Sequence, residues 1–367
     1  MDSLTQATLG AAIGELILGR KLGNRAIAWG AFLGTLPDLD VLFSPLLNSS
    51  WNLWWHRGPS HSLVLMILIS WWLSRPLAKL WKRDKVSRSR AGWFVFAAWS
   101  THVVIDCFTV YGTSLWWPLP WRTAWNNLFI IDPLFTAPML VALVWLAFLR
   151  DKKQLAKRRR LNAWGLGLAC LYVAFSFCMK AVADSRFDGD LARRGITPLR
   201  RFEAPTPFNT LLWRSVADCG DAFWIADVSV FDPKGEAITW TIVPKHHEAL
   251  DGIGNQPEIK RLAWFSDGWF IARPNVKGAW IGDVRFGEWR TWGVKDGMVD
   301  LRLVFAWMFA KDKPGDRLIA LRPDGMDVGA ALGRIARRAI GDRDSWEAEP
   351  RLVGIKGSMP EPLRTVK

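Results

Sequence analysis

Apolar positions in the first half of the chain run in blocks too long for strands. Ser62 to Trp81, Ala91 to Tyr111, Phe129 to Leu149 and Asn162 to Ala183 each approach ~20 residues, the length at which a helix crosses the hydrocarbon layer. Two shorter apolar stretches precede them: Leu4 to Gly19, rich in small residues, and Ala26 to Leu36, which stops at Pro37. Both read as short or partly buried helices, and Gly10 and Gly14 are spaced to let another helix approach closely. From about Ser185 the pattern changes to short alternating or aromatic-rich segments, Ala222 to Phe231, Ala237 to Val243, Trp264 to Ala272 and Val299 to Trp307. Turn signals such as Asp232-Pro-Lys-Gly and Asp251-Gly separate them, so they read as strands, with Val328 to Ile340 as a helix. The expected fold is an α-helical integral membrane domain over 1–183, with four full spans plus two short N-terminal helices. A β-rich extramembrane domain over 184–341 and a polar tail over 342–367 follow.

Charge turns this pattern into an orientation. Residues 1–183 hold 20 basic and 8 acidic side chains, and the rest hold 28 and 26, so most of the net charge of +14 belongs to the apolar half. It sits in clusters between apolar runs rather than on one soluble face, which argues against nucleic acid as a partner. Lys82 to Arg90 carries five basic residues and Arg150 to Arg160 carries seven, which places both loops in the cytoplasm. Gly112 to Leu128, with Arg122 and four tryptophans, then falls on the opposite side, as does everything after residue 183. No cleavable signal peptide is expected, because Asp2 and Glu15 replace a basic leader. Cys107, Cys170, Cys178 and Cys219 form no paired framework, so disulfides are not expected.

Candidate chemistry gathers in three motifs. Pro37-Asp38-Leu39-Asp40 interrupts a run at a membrane boundary, where an irregular loop lets both carboxylates aim at one cation. His56-Arg-Gly-Pro-Ser-His61-Ser62 sets two imidazoles beside a helix start whose free N–H groups attract anions, and Arg57 adds a forked donor suited to phosphate. His102-Val-Val-Ile-Asp106 places an imidazole and a carboxylate on one helical face inside an apolar run, where an ionisable group marks function. The basic loops put these groups, with Asp2 and Asp132, on one side of the membrane.

The succession MDSLTQATLGAAIGE, GTLPDLD, HRGPSHS and HVVID resembles the YdjM-like family of membrane-bound, metal-dependent hydrolases over roughly residues 1 to 150. The resemblance implies a multi-pass inner-membrane protein with hydrolase activity. Carried over by position, it implies a metal site of Asp2, Asp38, Asp40, His56, His61, His102 and Asp106. Some relatives carry histidine where this chain has Gln6. The HxxxD helix is also similar to the metal helices of zinc-dependent phospholipase C and P1-type nucleases, which implies phosphoester chemistry.

The function expected is therefore metal-dependent hydrolysis of phosphoester or related bonds at the periplasmic face of the bacterial inner membrane, with the C-terminal domain periplasmic. Mixed imidazole and carboxylate ligation favours Zn²⁺, with Mn²⁺ next. Arg57 would bind the anionic substrate, and a spare carboxylate, Asp40 or Asp106, would act as base. Membrane lipids are the expected surroundings. Two other readings stand beside it. One is a lipid phosphatase working through a phosphohistidine, against which the spacing of Ser60 and His61 and the position of Arg90 both count. The other is a non-enzymatic metal-binding scaffold or sensor whose outer domain recognises a partner.

Overall fold

A computed structural model describes residues 1–149, 152–289, 302–313, 315, 317–321, 328–347, 352–353, 361–362 and 364–366. Seven helices come first: α1 (Ser3–Leu22), α2 (Asn24–Thr35), α3 (Ser49–Trp55), α4 (Leu63–Leu80), α5 (Arg88–Cys107), α6 (Pro133–Phe148) and α7 (Leu155–Arg193). Two compact units divide the chain. The first comprises Met1–Phe43, Trp55–Cys178 and Pro207–Asn209, and the second Ser44–Trp54, Met179–Thr206 and Thr210–Lys367.

Local chemistry sets the helix ends of the first unit. Asp2 caps α1 by accepting from the Leu4 and Thr5 N–H groups, and Gly23, at φ +55°, ends it. Ser62, Ser87 and Asp132 cap α4, α5 and α6 in the same way. Helices α1 and α2 pack backbone to backbone, as the glycine spacing anticipates. A Cβ on Gly14 would come 2.1 Å from the Ala26 carbonyl oxygen, and one on Gly30 would come 2.2 Å from that of Gly10. Met66, Phe94, Ala98 and Val103 from α4 and α5 complete a buried core with Leu18 and Leu33.

Among the described residues, three helical segments are long and apolar enough to span a membrane: Asn24–Leu46, Leu63–Leu80 and Leu155–Arg193. Two of the four expected full spans, Ser62 to Trp81 and Asn162 to Ala183, are among them, and the other two do not meet this length and hydropathy. Asp132-Pro133 starts α6 late, which leaves 16 apolar residues. Helix α5 reaches 20 residues but carries Arg88, Arg90, His102 and Asp106, and half of its residues are buried. The stretch expected to stop at Pro37 continues instead through 3₁₀ turns over Leu36–Leu46. Helix α7 runs ten residues past Ala183, with Ala183, Phe187 and Leu191 buried four apart along one face.

The second unit is built on antiparallel sheets. Strands β1 (Arg200–Pro205), β2 (Leu212–Asp218), β3 (Ala222–Ser229) and β4 (Trp240–Pro244) pair in sequence order. Strands β5 (Phe270–Asn275), β6 (Gly278–Trp289), β7 (Arg302–Ala310) and β8 (Leu318–Leu321) form a second sheet, with a bulge in β6 between Asp283 and Glu288. Strands β9 (Leu352–Val353) and β10 (Glu361–Pro362) pair with each other, and β11 (Arg364–Val366) adds to β4. Helices α8 (Pro257–Ser266), α9 (Val328–Ala339) and α10 (Asp344–Glu347) complete the unit. Val216, Phe223, Ile271, Trp280 and Val284 form the core shared by the two larger sheets. Trp264 to Ser266, expected as strand, close α8: Pro257 opens it, and Ile259, Leu262 and Phe265 bury one helical face. Residues 299–301, part of another expected strand, lie outside the described residues, and so does much of the expected tail. The four cysteines are unpaired.

Candidate metal centre

Three pieces of the first unit meet at the site. The 3₁₀ turns Leu36–Leu46 bring Asp38 and Asp40, the turn Pro59–His61 brings His61, and the last turn of α5 brings His102 and Asp106. Residues two apart in a 3₁₀ helix point about 120° from each other, at three residues per turn. The two aspartates accordingly serve different partners rather than one point.

Asp38, His61, His102 and Asp106 each offer one ligand atom, and these atoms lie within 4.8 Å of one another. The Nε2 atoms of His61 and His102 are 3.2 Å apart. Nε2 of His61 is 3.3 Å from both Asp38 Oδ1 and Asp106 Oδ2. Nε2 of His102 is 3.4 Å from Asp38 Oδ1 and 3.5 Å from Asp106 Oδ2. His61, His102 and Asp106 are buried, while Asp38 is partly open.

Neighbouring groups fix which nitrogen faces the cluster. His102 Nδ1 lies 2.5 Å from the Gly34 carbonyl, which can only accept, so Nδ1 carries a proton and the Nε2 of the neutral ring presents a lone pair. Gly34 reaches this position through the close packing of α2 on α1. His61 Nδ1 is 2.8 Å from Ser60 Oγ, whose own proton goes to Asp40 Oδ2 at 2.7 Å. The Ser60 oxygen therefore accepts from His61, and the second Nε2 is also left with a lone pair. Anchoring of this kind sets ring orientation and tautomer in metal sites.

The residues fit a divalent cation. Two imidazole lone pairs face each other at close range, and the buried oxygens Asp38 Oδ1 and Asp106 Oδ2 have no hydrogen-bond partner. Unsatisfied buried acceptors are costly and call for a partner. Around a cation with bonds of about 2.0–2.2 Å, tetrahedral corners lie about 3.3–3.6 Å apart, which the five measured separations match closely.

The other expected residues surround this set without joining it. Asp40 accepts from His56 Nδ1 at 2.9 Å, the Arg57 backbone N–H at 3.0 Å and Ser60, so both its oxygens are occupied. His56 is partly exposed at the rim, with its ring edge-on to Tyr111. Arg57 is buried with a backbone φ of 57°. Its Nη1 is 3.3 Å from Thr109 Oγ1, its guanidinium lies over the Tyr111 ring, and its Nε is 3.3 Å from Asp106 Oδ2, close but not aligned for a hydrogen bond. Asp2 is spent on the α1 cap and on Thr5. Asp132 caps α6 and accepts from Tyr172.

Three participants were not anticipated: Ser60, the Gly34 carbonyl and the Met1 amino group, which donates to Asp106. A serine directly before the ligand histidine was the available signal for Ser60. A backbone carbonyl leaves none. Gln6 donates through Nε2 to Asp106 Oδ1 at 2.8 Å and leaves its own buried Oε1 unpartnered.

Comparison with known proteins places this half of the chain in context. A family model described as YdjM inner membrane protein matches residues 1–183, a range that contains the whole cluster. The chain is also similar to the inner membrane protein YbcI of Escherichia coli (strain K12), 29% identical over 119 residues. That match covers 32% of this chain and 66% of YbcI, just under two thirds of the relative's length. No solved structure matches.

Proposed function

We propose, from the cluster and from the match of residues 1–183 to the family model described as YdjM inner membrane protein, that the protein is a metal-dependent hydrolase of phosphoester or related bonds. Asp38, His61, His102 and Asp106 would hold a divalent cation, Zn²⁺ in first place and Mn²⁺ in second. The observation that carries the reading is the facing pair of Nε2 atoms, 3.2 Å apart, with two unpartnered carboxylate oxygens beside them. When bound, the cation would supply Lewis acidity and a water acidified toward neutral pH.

The chain's own groups supply the rest. Asp40 orients His56 and, through Ser60, His61. His56, with Nδ1 tied to Asp40 and its ring partly exposed, is the group placed to move protons at the rim. Arg57, the nearest guanidinium, would counter the charge of an anionic substrate. With the basic loops at 82–90 and 150–160 in the cytoplasm, the face at which this would happen is the periplasmic one. Reporter fusions after residues 85 and 185 test that orientation, and a cytoplasmic signal from the second would overturn it.

Full-length protein in detergent, stripped of metal and reloaded with Zn²⁺ or Mn²⁺, should hydrolyse p-nitrophenyl phosphate or its bis ester. His56→Gln should lower kcat while the metal content stays unchanged. Fully loaded protein with no turnover of either ester above the metal-only control would overturn the reading. A metal-binding scaffold or sensor would then be favoured, since four protein donors can fill a tetrahedral shell as structural sites do.

A further inference from the structure

The candidate centre occupies one end of the helices of the first unit, and a second feature lies at their other end. The last turns of α1, the first turn of α5 and the first turns of α7 enclose a groove of about 910 Å³. Arg20, Lys21, Arg90, Arg159 and Arg160 line it, and the acidic residue lining it is Glu15. Glu15 does not neutralise them. Its carboxylate is held by Arg158, 2.6 Å away, and both side chains are 3% exposed. Arg158 also donates to Asn24 Oδ1 and to the Leu146 and Leu149 carbonyls, and Asn162 donates to the Ala12 carbonyl. The groove floor is therefore a built, hydrogen-bonded joint between α1 and α7. Among the described residues, the side chains of Arg20, Arg90, Arg159 and Arg160 have no hydrogen-bonded or ion-pair partner.

Five cations around one cavity repel each other, and they do so next to a buried ion pair, where screening is weak. Such an arrangement is stabilised by an anion. The wall is not purely polar, because Leu16 lines the groove and is 63% exposed. Helix α7, whose first turns form one wall, is among the segments long and apolar enough to cross a bilayer. A cationic wall with an exposed apolar side, at the end of a membrane-crossing helix, matches a molecule with a phosphate at one end and hydrocarbon at the other.

We propose that this groove binds the headgroup of an anionic phospholipid, with the phosphate against Arg20, Arg159 and Arg160 and an acyl chain along Leu16. The site is independent of the hydrolase reading.

The test is a thermal-shift titration of the full-length protein in neutral detergent, with dioleoyl phosphatidylglycerol, dioleoyl phosphatidylcholine or inorganic phosphate as the added probe. Phosphatidylglycerol should raise the Tm saturably, and the other two should not. Removing two cations in Arg159→Gln/Arg160→Gln should weaken half-saturation by about tenfold or more, given on the order of 1 kcal/mol per cation near an anionic surface. The bound metal should not change, and the Tm without lipid should not fall, because two of the mutually repelling cations are gone. If that variant does not fold, Arg90→Gln on the α5 wall should give a smaller loss in the same direction. Equal responses to the two lipids, a response reproduced by inorganic phosphate, or an undiminished phosphatidylglycerol response in a folded variant would each overturn the proposal.

Discussion

Replacing Ser60 with alanine probes the centre without touching a proposed ligand. Ser60 Oγ stands 2.7 Å from Asp40 Oδ2 and 2.8 Å from His61 Nδ1, and the His61 side chain is 0% exposed. Its loss strands a buried imidazole N–H, at a cost of about 1–3 kcal/mol. Loss of a group that orients a metal ligand lowers affinity about 10–100-fold, equivalent to about 1.4–2.7 kcal/mol. The two routes agree. Asp40 keeps His56 and the Arg57 N–H, so the fold should persist, as circular dichroism can verify. Competition of full-length protein against a zinc chelator should show Ser60→Ala binding about 10–100-fold more weakly, with Ser60→Thr close to wild type. An affinity for Ser60→Ala within about twofold of wild type would refute the assigned tautomers.

Further outcomes follow from the same geometry. Gly30→Ala should lower the Tm in detergent, with a cost of about 1–3 kcal/mol for overpacking, because its Cβ meets the Gly10 backbone oxygen at 2.2 Å. It should also weaken metal binding by shifting Gly34 from His102. Arg158→Ala leaves Glu15 buried and unpaired and should cost about 3–5 kcal/mol, read as a fall in Tm that Glu15→Gln in the same background partly restores. In the second unit, burial pushes Glu203 up to about 7 from its ordinary 4.5, with Asp184 adding to the rise and Arg201 opposing it. The fold then holds a proton that the unfolded chain releases, so stability is greatest below about 4.5 and falls as pH rises through 7. Melting curves between pH 4.5 and 8 should show this slope in wild type and a flatter one in Glu203→Gln.

The sequence made the site legible where chemistry follows directly from periodicity. His102 and Asp106 share a helical face because four residues make about one turn, and Gly10 with Gly14 anticipates a close helix partner. Other features depend on details that spacing does not carry. The 3₁₀ rather than α geometry at Asp38 and Asp40 decides that one enters the cluster and the other organises it. The anchor of His102 is a backbone carbonyl that any residue could supply. Strand β2 is buried along its whole length, so it lacks the alternation that reveals a half-exposed strand. Helix α7 extends past its apolar run because a four-residue apolar spacing continues through Leu191 under a polar sequence.

The most direct test is elemental analysis of full-length protein purified in detergent without added metal, beside a His61→Ala/His102→Ala variant confirmed as folded. The account predicts about one equivalent of a divalent transition metal per chain in the wild type and almost none in the variant, since half of a four-ligand set is gone. Equal metal in the two samples, or a wild-type protein that cannot be loaded with Zn²⁺ or Mn²⁺, would contradict it.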